Sequence, residues 1–169
     1  AVSRARVRSV DSAGHRLNLS DGAALEYDRL LIATGSSPIM PPIPGIESEG
    51  VLPCWTLEDA RGIAARASRG SRVVLLGAGF IGCIVLEALA KRGVDLIVVE
   101  PMDRMVPRMM NQTAGGLIKR WCEGQGVRVF TGAKATAIQP GEPLGVVLDN
   151  GRTLLADLGA KELMATDRL

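Results

Sequence analysis

Three glycines and one carboxylate carry most of the chemistry this sequence can do. The stretch "LLGAGFIGCIVLE", residues 75–87, contains the G-x-G-x-x-G pattern Gly77-Ala78-Gly79-Phe80-Ile81-Gly82, and Glu100 ends the next apolar run. The glycine pattern alone is a weak signal, because Gly-rich turns are common; its placement gives it meaning. An apolar run delivers the chain to Gly77, where a tight turn begins. Gly79 lets the backbone approach a pyrophosphate, and Gly82 lets the following helix pack close to the strand. The N-terminus of that helix offers N–H groups and the positive end of its dipole to phosphate. A carboxylate at Glu100 can accept hydrogen bonds from both hydroxyls of an adenosine ribose and repels a 2′-phosphate. The site is therefore expected to take NAD(H) in preference to NADP(H). Gly77, Ala78, Gly79, Phe80, Ile81, Gly82 and Glu100 form the candidate cofactor-binding set.

Other reactive groups are few. Arg104 and Arg108, in "EPMDRMVPR", either bind phosphate or edge a substrate cleft, or stand solvated in a loop; Arg108 joins the candidate set. Ile84 is aliphatic where a polar residue would face a ligand, and packing on the helix's apolar stripe explains it. His15 is the sole histidine and sits beside Gly14 in a predicted turn, poor ground for a Ser-His-Asp triad or a His-based metal site. Cys54, Cys83 and Cys122 show no C-x-x-C and no zinc spacing, and an odd count disfavours a disulfide framework. A reducing, cytoplasmic setting is expected. Cys83 reads as a small core residue rather than a redox thiol. No catalytic acid, base or nucleophile and no metal site is expected. The Tyr-x-x-x-Lys pair of a compact single-domain dehydrogenase is missing, since the only tyrosine, Tyr27, is followed by Leu31.

The bulk properties narrow the classes. A chain of 169 residues suits one domain, or one domain with part of another. A composition of 47% hydrophobic and 22% charged residues is that of a soluble globular protein. Aromatics at 3% leave little to stack on bases, and 20 basic against 18 acidic residues form no long basic block. Neither nucleic acid nor a membrane surface is an expected partner. No apolar run reaches the roughly 18 residues of a membrane span. The start "AVSRARVRSV" resembles neither a signal nor a transit peptide. It lacks an initiator Met, so a piece of something longer is expected.

The elements that must position the glycines read as βαβ. "RVVLL" (72–76) and "DLIVVE" (95–100) are continuous β-branched runs, as in parallel strands covered on both faces. Between them, Ile81, Ile84, Val85, Ala88 and Leu89 recur at helical spacing, with Lys91, Arg92 and Gly93 as a stop, and Glu87–Lys91 as an exposed i,i+4 pair. A second helix is predicted over 111–124. Its stripe is Ala114, Leu117, Ile118, Trp121 and Cys122, and Gly115 and Gly116 weaken it. "VRVF" (127–130) is the third parallel strand. An earlier helix, 57–68, opens on Thr56 with Asp59 three residues on, a capping-box pattern with Asp for Glu. "PIMPPIPG" (38–45) reads as a linker. Met102, Met105, Met109 and Met110 serve either packing or a contact to a further domain.

The two ends of the chain echo each other. "LNLSDGAALEYDRLLIATG" (17–35) and "VVLDNGRTLLADLGAKELMATD" (146–167) each read as strand, Asp-Gly or Asn-Gly hairpin, strand, aspartate, then an apolar strand ending in Ala-Thr. The Gly dipeptides supply positive φ for two-residue hairpin turns. Gly22, Leu25 and Asp28 match Gly151, Leu154 and Asp157 at a constant offset, as in two copies of a nucleotide domain's tail; the other reading is chance recurrence of hairpins.

With "YDRLLIATG", "IPG", "TLEDA", "GAGFIG", "VVE" and "DRMVPRM" in that order, the chain resembles a central piece of an FAD-dependent pyridine nucleotide–disulfide oxidoreductase, in the NADH-dependent ferredoxin, rubredoxin and nitrite reductase-like branch. The resemblance runs from about residue 17 to residue 157. It implies an α/β, Rossmann-like three-layer NAD-binding domain with a parallel sheet and β-meander, plus an N-terminal β-hairpin and strand left from an FAD domain. The implied boundaries are 1–40 for that remnant and linker, 41–157 for the NAD(H)-binding domain and 158–169 for a divergent tail. "ATG" at 33–35 matches the hand-over between FAD and NAD domains, which adds Thr34 and Gly35 to the candidate cofactor residues. The family's own FAD glycine motif and its later Gly-Asp motif are absent, so FAD is expected in the intact parent and not in this chain. "ADLGAKELMATDRL" departs from the family's "ADLVVMATG". Many relatives carry Glu at the position of Ile84, near the nicotinamide, and that role does not transfer.

The expected function is an NADH-binding domain of a flavin reductase. It would pass hydride from NADH to FAD and electrons on to an unnamed acceptor, with the isolated chain binding without turnover. A stand-alone nucleotide-binding or sensor module is the alternative, and a compact dehydrogenase a third. The apolar "RLLIA" strand is expected to pair with another copy through residues 28–35, to fold onto the NAD domain, or to lack order.

Overall fold

Alternation of side chains along two apolar strands decides the architecture. The structure, a computed structural model, describes residues 2, 4–38, 40–161 and 165–166. The chain divides after Gly35. The first unit holds β1 (Val7–Asp11), β2 (Arg16–Leu19) and β3 (Ala24–Glu26), an antiparallel meander in chain order. The second begins with β4 (Ser37–Pro38), β5 (Val51–Pro53), α1 (Leu57–Arg66), β6 (Arg72–Leu76), α2 (Phe80–Lys91) and β7 (Asp95–Glu100). It continues through α3 (Gln112–Gly124), β8 (Arg128–Thr131), β9 (Ala135–Gln139), β10 (Leu144–Leu148), β11 (Thr153–Ala156), β12 (Leu158–Lys161) and β13 (Ala165–Thr166).

Five of these strands form a parallel sheet in the order β5-β12-β6-β7-β8, and β9, β10 and β11 form an antiparallel meander. Val73, Leu75, Leu96 and Val98 point to one face of the parallel sheet, where Ile63, Val85, Leu86, Leu89 and Cys122 of the three helices cover them. Val74, Ile97 and Val99 point to the other face, against Ile138, Val146, Leu148 and Leu154 of the meander. A period of two with both faces covered requires strands apolar at every position, as these are. The three-layer fold with parallel sheet and meander is the one expected. Thr56 and Asp59 form a reciprocal capping box on α1, with Asp59 replacing the usual Glu.

Several expectations are corrected. On α2 the buried face is Gly82, Val85, Leu86 and Leu89, whereas Ile81 is 40% and Ile84 54% exposed. The helix is aliphatic on two sides, and the side that carries Gly82 is the one that meets the sheet. Packing therefore does not explain Ile84. On α3, Cys122 and Ile118 face inward but Leu117 and Trp121 are exposed. Gly115 sets this orientation, because a Cβ there would lie 2.6 Å from the carbonyl oxygen of Met105. This glycine is a contact as well as a weak point in the helix.

The hairpin turns are longer than two residues. Leu148 N–H donates to Arg152 O and Gly151 N–H to Leu148 O, leaving Asp149, Asn150 and Gly151 as a three-residue loop. Leu19, Ala23 and Gly22 repeat the pattern. Only the glycines, at φ +86° and +80°, are left-handed; Asp21 and Asn150 are not, which excludes a two-residue type I′ turn. The predicted "RLLIA" strand does not form: residues 29–33 pair with no described strand, and Leu31 is 87% exposed.

Residues 158–161, set apart in the sequence as the start of a divergent tail, form the strand between β5 and β6 with Leu158 and Ala160 fully buried. Gly159 and Ala160 have low strand propensity, but backbone ladders on both sides hold them. The departures at 162–164 and Asp167 lie outside the described residues.

The aspartate of the second echo has a clear task. Asp157 accepts from Arg72 N–H (2.8 Å) and from its guanidinium (Nε, 3.2 Å), clamping the start of β6 to the start of β12. These bonds hold its carboxyl below the usual carboxylate range. A depressed pKa means a contribution present at neutral pH and lost as pH falls through the folded-state value. Asp157→Asn is expected to lower the urea midpoint at pH 7 and to flatten the loss of stability on acidification below about pH 4. An unchanged acid profile in the variant contradicts this assignment.

Candidate functional site

The site is built where β6 ends. Gly77 takes φ +103°, a conformation that a side chain resists, and its N–H donates to Val99 O at 2.8 Å, tying the turn to β7. Ala78 follows, fully buried. Gly79 is the N-cap of α2 in extended conformation, no side chain caps the helix, and its first turn holds no acidic residue. The positive end of the α2 dipole is thus not neutralised by the helix's own carboxylates, the condition for attracting phosphate. Phe80 and Ile81 open the helix, 59% and 40% exposed.

Glu100, 6% exposed, is the single charged residue among the buried polar ones described. One carboxylate oxygen accepts from Ala78 N–H and the other from Met102 N–H, both at 2.8 Å. Each oxygen has two acceptor sites, so one bond apiece leaves capacity for two hydroxyl donors. Burial makes a second negative charge beside it costly. The acid at the end of β7 therefore does two jobs: it pins the glycine turn and presents the acceptors that a ribose diol needs. Met102 and Val106 were not foreseen as parts of the site. Val106 N–H donates to Ala78 O at 2.8 Å.

The structure thus brings together Gly77, Ala78, Gly79, Phe80, Ile81, Gly82 and Glu100. Of the two arginines, Arg104 braces its own loop through Met110 O (2.9 Å), Pro107 O (3.1 Å) and Asp103 (2.6 Å). Arg108 is exposed in the same loop. Thr34 and Gly35 belong to the first unit, exposed and outside the described strands, with Gly35 at φ +71°. His15 stacks on Tyr27 with ring centroids 5.4 Å apart, a packing role in its hairpin. Among the described residues no cluster of His, Cys, Asp or Glu is arranged to hold a metal, and no helix is long and apolar enough to cross a membrane. The turn, the open helix end and the buried acid together suit the adenosine diphosphate half of a dinucleotide. The sequence holds no second glycine cradle for FAD.

Comparison with known proteins shows what the chain is similar to. The profile of the family "Pyridine nucleotide-disulphide oxidoreductase" matches residues 2–159. Rhodocoxin reductase of Rhodococcus erythropolis is 35% identical over 150 residues, 88% of this chain and 35% of the relative. The ferredoxin reductase for the CYP199A2 system of Rhodopseudomonas palustris superposes with a TM-score of 0.85 at 31% identity, over 97% of this chain and 41% of that one. A water-forming NADH oxidase of Lactobacillus brevis, bound to NADH, gives 0.83 at 25% identity, over 97% and 38%. The chain spans well under half the length of the proteins it matches.

Proposed function

The chain belongs to the pyridine nucleotide–disulphide oxidoreductase family, and from that premise we propose that it is the NADH-binding domain of a flavin-dependent oxidoreductase. A dinucleotide bound here would supply hydride for an FAD held by other parts of the parent protein, and the electrons would go on to an acceptor such as the ferredoxin-type proteins its reductase relatives serve. This chain's residues bind and orient. The turn at Gly77–Gly79 and the first turn of α2 receive the pyrophosphate, and Glu100 accepts from the ribose hydroxyls. The family resemblance puts Ile84, 54% exposed, near the nicotinamide in place of a carboxylate, and no residue is assigned to that end. Glu100 carries the proposal, since a buried carboxylate that already holds the glycine turn ties sugar recognition to phosphate recognition.

The isolated chain is proposed to bind NADH without turnover. Absorbance at 340 nm, with and without added FAD and with an artificial electron acceptor, tests this. No oxidation by the chain alone is expected, and NADH consumption without flavin overturns it. A cytoplasmic setting is part of the proposal. Exposed Leu31 and Ile32 support self-association through residues 28–35. Sedimentation should show a concentration-dependent dimer that Leu31→Asp dissolves, and a parent that stays monomeric rules it out.

A further inference from the structure

We infer that Val106 is a positioning residue for the dinucleotide turn, an inference that rests on the nucleotide-binding reading above. Val106 is β-branched and 6% exposed, yet its φ is +49°, a left-handed conformation such side chains rarely adopt. A residue stays there only where its surroundings over-determine it, and such residues cluster at ligand clamps. The surroundings here are specific. Val106 N–H donates to Ala78 O at 2.8 Å, and Val106 O accepts from Met109 N–H (3.0 Å) and Met110 N–H (2.9 Å). Met105 before it is fully buried, with its carbonyl against Gly115. Arg104 closes the loop through Met110 O and Pro107 O.

Loop 104–110 is therefore a braced strap that aims one N–H at the glycine turn. Ala78 is held from both sides, its N–H by Glu100 and its C=O by Val106. Those two bonds fix the peptide groups on which a pyrophosphate must lie. The bonds from Met109 and Met110 to Val106 O and the brace of Arg104 hold the loop in this conformation, and the loop's backbone thereby directs the donor, while the valine side chain fills the helix-side core.

Two substitutions in the full chain separate this role from packing. Val106→Pro removes the N–H and forbids positive φ. Val106→Gly keeps the N–H and accepts positive φ without steric cost, but deletes the side chain. By calorimetry, the Kd for ADP-ribose is expected to rise about 10-fold or more in Val106→Pro and to stay within about 3-fold in Val106→Gly. The Kd for adenosine, which lacks the pyrophosphate, is expected to stay within about 3-fold in both variants. Loss of both ligands alike in both variants marks a packing role and overturns the inference. Should Val106→Pro not fold, Gly115→Ala replaces it, because its Cβ must displace the Met105 carbonyl; the same selective loss is expected. A parent that binds ADP-ribose with every variant unchanged overturns the Val106 assignment alone. A parent that does not bind ADP-ribose overturns the nucleotide reading with it.

Discussion

Glu100→Ala is expected to lower the stability of the chain by roughly 2–6 kcal/mol and to remove measurable NADH binding. The substitution strips acceptors from two backbone donors, Ala78 N–H and Met102 N–H, in a site where the carboxylate is 6% exposed. Each buried donor left unsatisfied costs about 1–3 kcal/mol, which gives the range. Against a typical domain stability of about 5–15 kcal/mol, that loss is large. Glu100→Gln separates the two roles. Its amide oxygen can still accept one N–H, while its NH2 group faces the other, so about half of the stability loss is expected. Urea denaturation of both variants measures this, and parent-like stability in Glu100→Ala shows that the carboxylate does not hold the turn.

The second large effect belongs to Gly77→Ala. At φ +103° an L-residue costs about 1–3 kcal/mol, and the turn has little freedom to relax. Gly77 N–H is held by Val99, and both polar groups of Ala78 are engaged. The strain therefore falls on the loop that faces the ligand, and NADH affinity is expected to fall about 10-fold or more. Denaturation midpoints and NADH fluorescence titration report the two losses separately. Parent-like affinity in Gly77→Ala would show that the turn does not cradle the dinucleotide.

The contrast between these residues and Ile84 shows what a sequence can reveal. Gly77 and Glu100 were legible because one chemical requirement acts on each: a positive φ at the first, an acceptor at the second. The sheet was legible for the same kind of reason, since Val73–Leu76 and Leu96–Val99 are apolar at every position. The orientation of α2 was not. The helix carries aliphatic residues at 81 and 84 as well as at 85, 86 and 89, so hydrophobicity does not tell the two sides apart; the buried side is the one that carries Gly82.

Strand β12 was half legible: the echo between the chain's ends placed a strand after the aspartate, but Gly-Ala-Lys has no strand propensity of its own, and its place depends on neighbours about 80 to 110 residues earlier in the chain. Val106 left no sequence signal at all, since a left-handed valine is imposed by the bonds that brace its loop. Gly115 did leave one: a glycine inside a helix often marks a close contact. In the sequence it registered only as a weakness.

Calorimetric titration of the chain with NADH and NADPH tests the central assignment most directly. Saturable binding of NADH is expected, with NADPH at least about 10-fold weaker because its 2′-phosphate meets the buried Glu100 carboxylate. Equal affinity for the two nucleotides, or binding of neither, contradicts it.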